Sequence, residues 1–186
     1  PRPPPPRPGA RRPRPRCIPD STDTALLTLR LALGPLRCAP GDQQLFLGGR
    51  IDGPAGWFES MGRTPGKLNA WAAALTETGT GVLMTVGLLT PFAAAGMVGV
   101  MVVAWFTHRG AFFVFKDGWE YNFVIGAVAI AVGTLGAGEF SLDELFGIRD
   151  SLAGWPGLAI SAGLGLAAGF GTLALFYRPD PEAGTA

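Results

Sequence analysis

Charge is scarce in this chain of 186 residues: 16% of its side chains are Asp, Glu, Lys or Arg, against roughly 25% in average soluble domains. The scarcity is uneven. From Leu68 to Thr107 the one ionisable side chain is Glu77, and from Trp119 to Ala137 the one strong charge is Glu120. From Pro156 to Phe176 there is none. Histidine occurs once, as His108, which excludes a bis-histidine haem. The two cysteines, Cys17 and Cys38, form no CxxC pair, so no dithiol redox centre is written here. No group of residues has metal-ligand spacing, no loop has the spacing of a phosphate cradle, and no Ser–His–Asp set is supported. Any redox chemistry would have to run through a quinone or a partner protein.

What is present is apolar: 48% of residues are hydrophobic. A span needs roughly 20 mostly apolar residues to cross a hydrocarbon core about 30 Å thick. Leu68 to Leu89, Pro91 to Thr107, Trp119 to Ala137 and Pro156 to Tyr177 are read as spans on that test. Thr24 to Gly49 is a weaker first span. Asp20, Ser21 and Asp23 offer caps for it, whereas Arg30, Pro35 and Arg37 interrupt it, so a kinked or broken helix is expected there. "LLTPF" (Leu88–Phe92) predicts a helical hairpin, with Thr90 as cap and Pro91 at the first helical position. Residues 50 to 67 read as a loop in which Trp57 and Phe58 anchor to the interface. Ser141 and Glu144 have capping-box spacing, and the short helix they open is expected to lie at the interface. "GLGLAAGFG" (Gly163–Gly171) has neither the spacing nor the preceding strand of a dinucleotide loop. It reads as small residues that let helices approach closely.

The ends differ from the middle. Arg2, Arg7, Arg11, Arg12, Arg14 and Arg16 stand among prolines, a composition that cannot bury a core and is expected to be disordered, with a miscalled start as the second reading. Arg50, Arg63, Lys67, Arg109, Lys116 and Arg178 fall on one face against Arg149 on the other. Counting the tail's arginines with Arg149 removes that asymmetry, so orientation is left open.

The unusual residues converge. At about 1.5 Å per residue, Glu77 lies roughly 14 Å past Leu68, near mid-membrane. A carboxylate there costs about 2.5–3.5 kcal/mol on insertion scales, so it faces the bundle interior and pairs or binds protons. Its two readings are a proton-handling or ligand-binding acid, and a structural partner of Arg30. Glu120 begins a helix, where the dipole favours an acid. His108 ends the preceding span, with a pKa suited to proton exchange. With Asp42, Gln43, Gln44 and Asn122 they are expected to gather at one mouth, with Glu77 beneath.

"TALLTLRLALG" (Thr24–Gly34), "GDQQLFLGGR" (Gly41–Arg50), "GPAGWFESMG" (Gly53–Gly62), "LTETGTGVLMTVGLLTPFAA" (Leu75–Ala94), "THRGAFFVFKDGWEYNF" (Thr107–Phe123) and "GEFSLDELF" (Gly138–Phe146) together resemble the DoxX family of small bacterial membrane proteins. The resemblance covers roughly Thr24 to Phe146. It implies a four-helix membrane bundle and carries over Arg30, Glu77, His108 and the block Trp119, Glu120, Tyr121 and Asn122. The family takes its name from a subunit of a thiosulfate:quinone oxidoreductase, and its members are linked to respiratory and thiol or oxidative-stress systems. One departure stands out. The family commonly has histidine–glycine followed by lysine at the end of the first span, where this chain has Pro40 before Gly41, and Gln44 in the lysine's place.

The expectation is therefore an all-α membrane protein. A DoxX-type four-helix bundle spans residues 23–147, an additional transmembrane helix residues 148–178, and tails occupy residues 1–22 and 179–186. The expected function is a membrane subunit of a redox system in the bacterial plasma membrane, an oxidoreductase subunit if an enzyme at all. It would bind quinone or a small sulfur compound, with Glu77, His108 and Glu120 as acid–base groups. Arg30, Gln44, Trp119, Tyr121 and Asn122 would contact the ligand. No metal and no nucleic acid are expected; lipid, a redox partner and a second copy docked through the glycine-rich helix are. The alternatives are a scaffold that docks a soluble redox enzyme, and a small-molecule or proton-coupled carrier.

Overall fold

The computed structural model describes residues 21–42, 51–60, 62–107, 112–113 and 118–177. Residues 1–20 and 179–186 of the expected tails, Gln43, Gln44, His108 and the side chain of Asp42 lie outside that description, while residues 21 and 22, expected in the disordered tail, open the first helix. Among the described residues the elements are helical, with one isolated bridge between Arg63 and Tyr177.

The first helix, α1 (Ser21–Asp42), is continuous where a kink or break was expected at Pro35. Pro35 stands on the exposed side of the helix, away from the seam. The buried side chains are Leu26, Arg30, Leu33 and Arg37, spaced four, three and four residues apart, which is one face of a 3.6-residue helix. That face lies along α3 (Gly66–Val86), and packing along its length outweighs the one hydrogen bond a proline removes. Residues expected to form a loop after α1 instead include a helix, α2 (Asp52–Ser60). Its Ala55 and Phe58 are buried against Ala70 and Ala74 of α3. Two glycines and a proline hide this helix from propensity reasoning, and tertiary contact forms it.

The hairpin expected at "LLTPF" is present. α3 ends at Gly87, which adopts the left-handed conformation (φ 67°, ψ 48°) that glycine takes without strain. α4 (Thr90–Thr107) then runs back along α3, and α5 (Glu120–Leu135) packs on α4. Since α1 also touches α5, the four long helices close a ring around Leu33, Met84, Met97, Val98, Ile125 and Val132. Two short helices follow, α6 (Leu142–Leu145) and α7 (Arg149–Leu152). Ser141 caps α6 by accepting from the Glu144 amide at 3.1 Å, one half of the expected capping box, while the Glu144 carboxylate pairs with Arg149 at 3.1 Å. The last helix, α8 (Trp155–Phe176), holds a π-helical segment at Ala159–Leu164 and packs outside the ring against α4. Gly165 and Gly169 press on Val98 and Val102 of α4, so these glycines serve close approach, while Gly163 and Gly171 face open space.

Apolar side chains also face outward. Leu68, Trp71, Leu75, Phe123, Val124, Leu164, Phe170 and Leu175 are all exposed on the long helices, which puts large apolar patches where a soluble protein rarely has them. Among the described residues one helix, Trp155–Phe176, is long and apolar enough to cross a membrane by length and composition; Thr90–Phe106 and Glu120–Leu135 are apolar but shorter.

A buried polar knot ties the end of the bundle remote from α2. Arg30 is 1% exposed and donates four hydrogen bonds to main-chain carbonyls. Its Nε reaches Met84 at 3.1 Å and Nη2 reaches Thr85 at 3.0 Å, while Nη1 reaches Ala137 at 2.7 Å and Phe140 at 2.8 Å. The first pair of carbonyls lies in the last turn of α3, where intrahelical partners run out, and the second pair belongs to the segment after α5. Asp143 answers at the start of α4. Its Oδ1 accepts from the Leu89 amide at 2.7 Å, and its Oδ2 accepts from the Thr90 amide at 3.0 Å and the Thr90 hydroxyl at 2.8 Å. Asp143, not Thr90, therefore supplies the cap expected at this hairpin.

Candidate functional site

α1 and α3 run antiparallel, since Arg30 is level with Met84 and Arg37 with Glu77. Seven residues on each helix, about 10 Å, separate the two contacts. Glu77 therefore pairs with Arg37 and not with Arg30, the expected partner. Arg37 Nη2 donates to Glu77 Oε1 at 2.8 Å, with the side chains 4% and 10% exposed. A carboxylate and a guanidinium so far from water attract each other strongly at short range, against a desolvation cost that offsets much of the gain. The pairing is incomplete. Glu77 Oε2, Arg37 Nε and the neighbouring Thr78 Oγ1 are buried without a hydrogen-bond partner, and such groups in a native fold call for an explanation.

A cavity of about 330 Å³ lies beside Glu77, within the size range of small-molecule sites. Ala73, Thr76 and Glu77 of α3, Gly99 and Val103 of α4, and Ala168 of α8 are among its walls. Trp57 and Phe58 of α2 and Arg63 close the end near the start of α3. Asn69 also lines it, its amide nitrogen donating to the Pro65 carbonyl at 2.9 Å. Glycines and alanines make the space, because a helix without side-chain bulk leaves room beside it. Arg63 is 4% exposed and stacks over the Phe58 ring at 5.2 Å. Its Nε has no hydrogen-bond partner, and no acidic side chain pairs with it among the described residues. Burial lowers the Arg63 pKa from its ordinary value, yet a guanidinium stays protonated.

The expected mouth is only partly visible. Trp119 lies in an aromatic cluster with Trp105 at 5.5 Å, Phe112 at 4.8 Å and Phe123 at 6.0 Å between centroids. Glu120 opens α5, and its amide donates to the Phe112 carbonyl at 3.0 Å. Tyr121 is exposed and Asn122 buried. None of Trp119, Glu120, Tyr121 and Asn122 lines the cavity beside Glu77. Arg30 does not line it either, and each nitrogen of its guanidinium already donates to a carbonyl.

A family model, DoxX, matches residues 25–110. That segment, 86 of the chain's 186 residues, is similar to the DoxX family, a family of membrane proteins. The chain's outward-facing apolar side chains fit a membrane as solvent. The match takes in α1 to α4 and ends before α5. No curated protein and no solved structure matches the chain.

The DoxX-like region thus contains both members of the Arg37–Glu77 pair, Arg63 and most of the cavity wall. Sequence reasoning found Glu77 by its isolation in an apolar segment. It missed Arg37 as the partner, although the seven-residue offset from Arg30 places both on one face. It also missed Arg63, which reads as one more loop cation until α2 folds over it.

Proposed function

We propose that this DoxX-like protein is a multi-pass integral membrane subunit of a redox system in the bacterial plasma membrane. The helices α1, α3, α4 and α5 are its bundle, α8 is a fifth span, and the cavity beside Glu77 receives a quinone or a small sulfur compound. One observation carries the reading. A buried carboxylate, already paired through one oxygen, keeps the other unpartnered at the wall of an apolar cavity. Intramembrane acids are costly and commonly functional.

The residues present fit a quinone head. Its carbonyls need donors, and Arg63 Nε–H is an unused one; its ring needs apolar walls, and the cavity has them. A bound quinone supplies the two-electron, two-proton chemistry. Glu77 Oε2 holds or releases a proton at the wall, while Arg37 keeps Oε1 fixed. Arg63 orients the ligand at the opposite end. The small residues of α3, α4 and α8 exclude water. Electrons come from a partner protein, since no redox centre is written in this chain.

Mild extraction of the full chain from its native membrane tests this, followed by mass spectrometry and an absorbance spectrum. Co-purification with a redox enzyme, a flavin or a quinone is expected. Glu77→Gln is expected to assemble normally and to lose turnover. A lone, colourless protein carrying only bulk lipid refutes the subunit reading.

A further inference from the structure

The charges around the cavity do not balance. Glu77 is matched by Arg37 at 2.8 Å, which leaves Arg63 as a cation with no acidic partner among the described residues. Arg63 is also 96% buried, and its Nε–H is unused. An unpaired buried charge is far more costly than a paired one. The stack on Phe58 offsets part of that cost, since the face of an aromatic ring attracts a cation. It satisfies no N–H donor. The guanidinium sits where α2 meets the start of α3, and its backbone bridges to Tyr177 just beyond α8. It therefore lies at one end of the helices α3 and α8. From it the cavity runs along α3 past Asn69 and Ala73 to Thr76. That is seven residues from Asn69, about 10 Å of helix, walled mainly by alanine, glycine and valine.

We infer that the cavity takes an amphipathic anion, a single carboxylate or phosphate head held by Arg63 with its apolar body lying along α3 between α4 and α8. An unused N–H on a guanidinium that carries a full charge suits an oxyanion, whose hydrogen bond to it is charge-assisted on both sides. The walls beyond it suit a hydrocarbon or an aromatic body. The inference rests on the cavity being a ligand site, as proposed above, and not on a redox partner.

The test uses the purified full chain in an uncharged maltoside detergent, at a pH well above the carboxylate range. Tryptophan quenching reads binding of 12-bromododecanoate and 12-bromododecanol, with Trp57 at the cavity wall as reporter. The carboxylate is expected to bind about ten-fold tighter than the alcohol, the scale of one charge-assisted hydrogen bond. Arg63→Gln is expected to bring the two to parity, and Arg63→Lys to keep part of the preference. Equal binding of acid and alcohol by the parent overturns the inference, as does an undiminished preference in a folded Arg63→Gln protein. If Arg63→Gln does not fold, a bromododecyl trimethylammonium probe decides on the parent. Preference for the anion over both others supports the inference, and parity with the cation overturns it. Nanodiscs separate the sources. Loss of the bromododecanoate signal in phosphatidylglycerol, with retention in phosphatidylcholine, assigns the head to a membrane lipid; retention in both assigns it to a soluble amphiphile. Because no redox partner is present, selective binding here with no redox activity elsewhere would remove the proposed subunit role and leave this inference standing.

Discussion

Replacing Glu77 with methionine removes the carboxylate that accepts from Arg37 at 2.8 Å and strands a guanidinium that is 4% exposed. Removing one partner of a buried pair costs about 3–5 kcal/mol. Arg37→Met leaves the carboxylate stranded and costs a similar amount. The double variant removes both desolvation penalties at once and puts two apolar side chains of similar length into an apolar seam. It is expected within about 1 kcal/mol of the parent, or above it. The two single losses would sum to roughly 6–10 kcal/mol, so the coupling is on the order of 5 kcal/mol or more. Thermal unfolding in detergent, followed by tryptophan fluorescence and size exclusion, reads this. At about 2–4 °C per kcal/mol for a chain of this size, each single variant lowers the midpoint by on the order of 10 °C and the double restores it. Additive losses in the double variant would refute the reasoning, because they would mean that each side chain contributes independently. Glu77→Gln keeps an acceptor for Arg37 and should lose less, which makes it the variant for separating proton handling from stability.

Other variants probe the knot at the opposite end. Arg30→Lys should destabilise by at least about 2 kcal/mol in the same melt, because an ammonium cannot reach carbonyls on two segments in the way the planar fork does. Asp143→Asn replaces an acceptor oxygen with a donor beside the Leu89 and Thr90 amides and should cost about 1–3 kcal/mol. Gly87→Ala puts a Cβ at φ 67° against the Arg30 guanidinium and should cost more than the roughly 1 kcal/mol of the left-handed conformation alone. The exposed Lys67–Asp52 pair, 2.9 Å apart, should behave differently. The Asp52 hydrogen bond raises the Lys67 pKa, so its contribution is present below the ordinary lysine value and lost as pH rises through the raised one. Exposure and screening reduce that contribution, so Asp52→Asn is expected to leave the melting curve unchanged across alkaline pH.

How much of this could be read in advance varies with the residue. The hairpin at "LLTPF" and the Ser141 cap follow from local chemistry, which a few neighbouring residues settle. The stripe Leu26, Arg30, Leu33, Arg37 is written in α1 at helical spacing, yet spacing alone does not tell an arginine that packs inward from one that interrupts an apolar run. The roles of the two arginines depend on which residue of α3 each one meets, and the antiparallel register alone decides that. Asp143 carries no signal of its own. It caps α4 only because the segment from Ala137 to Ser141 folds back over the hairpin.

The sequence by itself determined that this chain is helical, belongs in a membrane and carries one isolated acid in α3. Those properties follow from hydropathy, helical periodicity and the cost of a charge in hydrocarbon, each of which is local. Only the tertiary structure decided that the acid pairs with Arg37, that Arg30 serves the backbone, and that Arg63 stands without an acidic partner among the described residues, at the end of a cavity. Helix register and long-range approach set those outcomes, because charge pairing falls off within a few ångströms and no spacing along the chain encodes it.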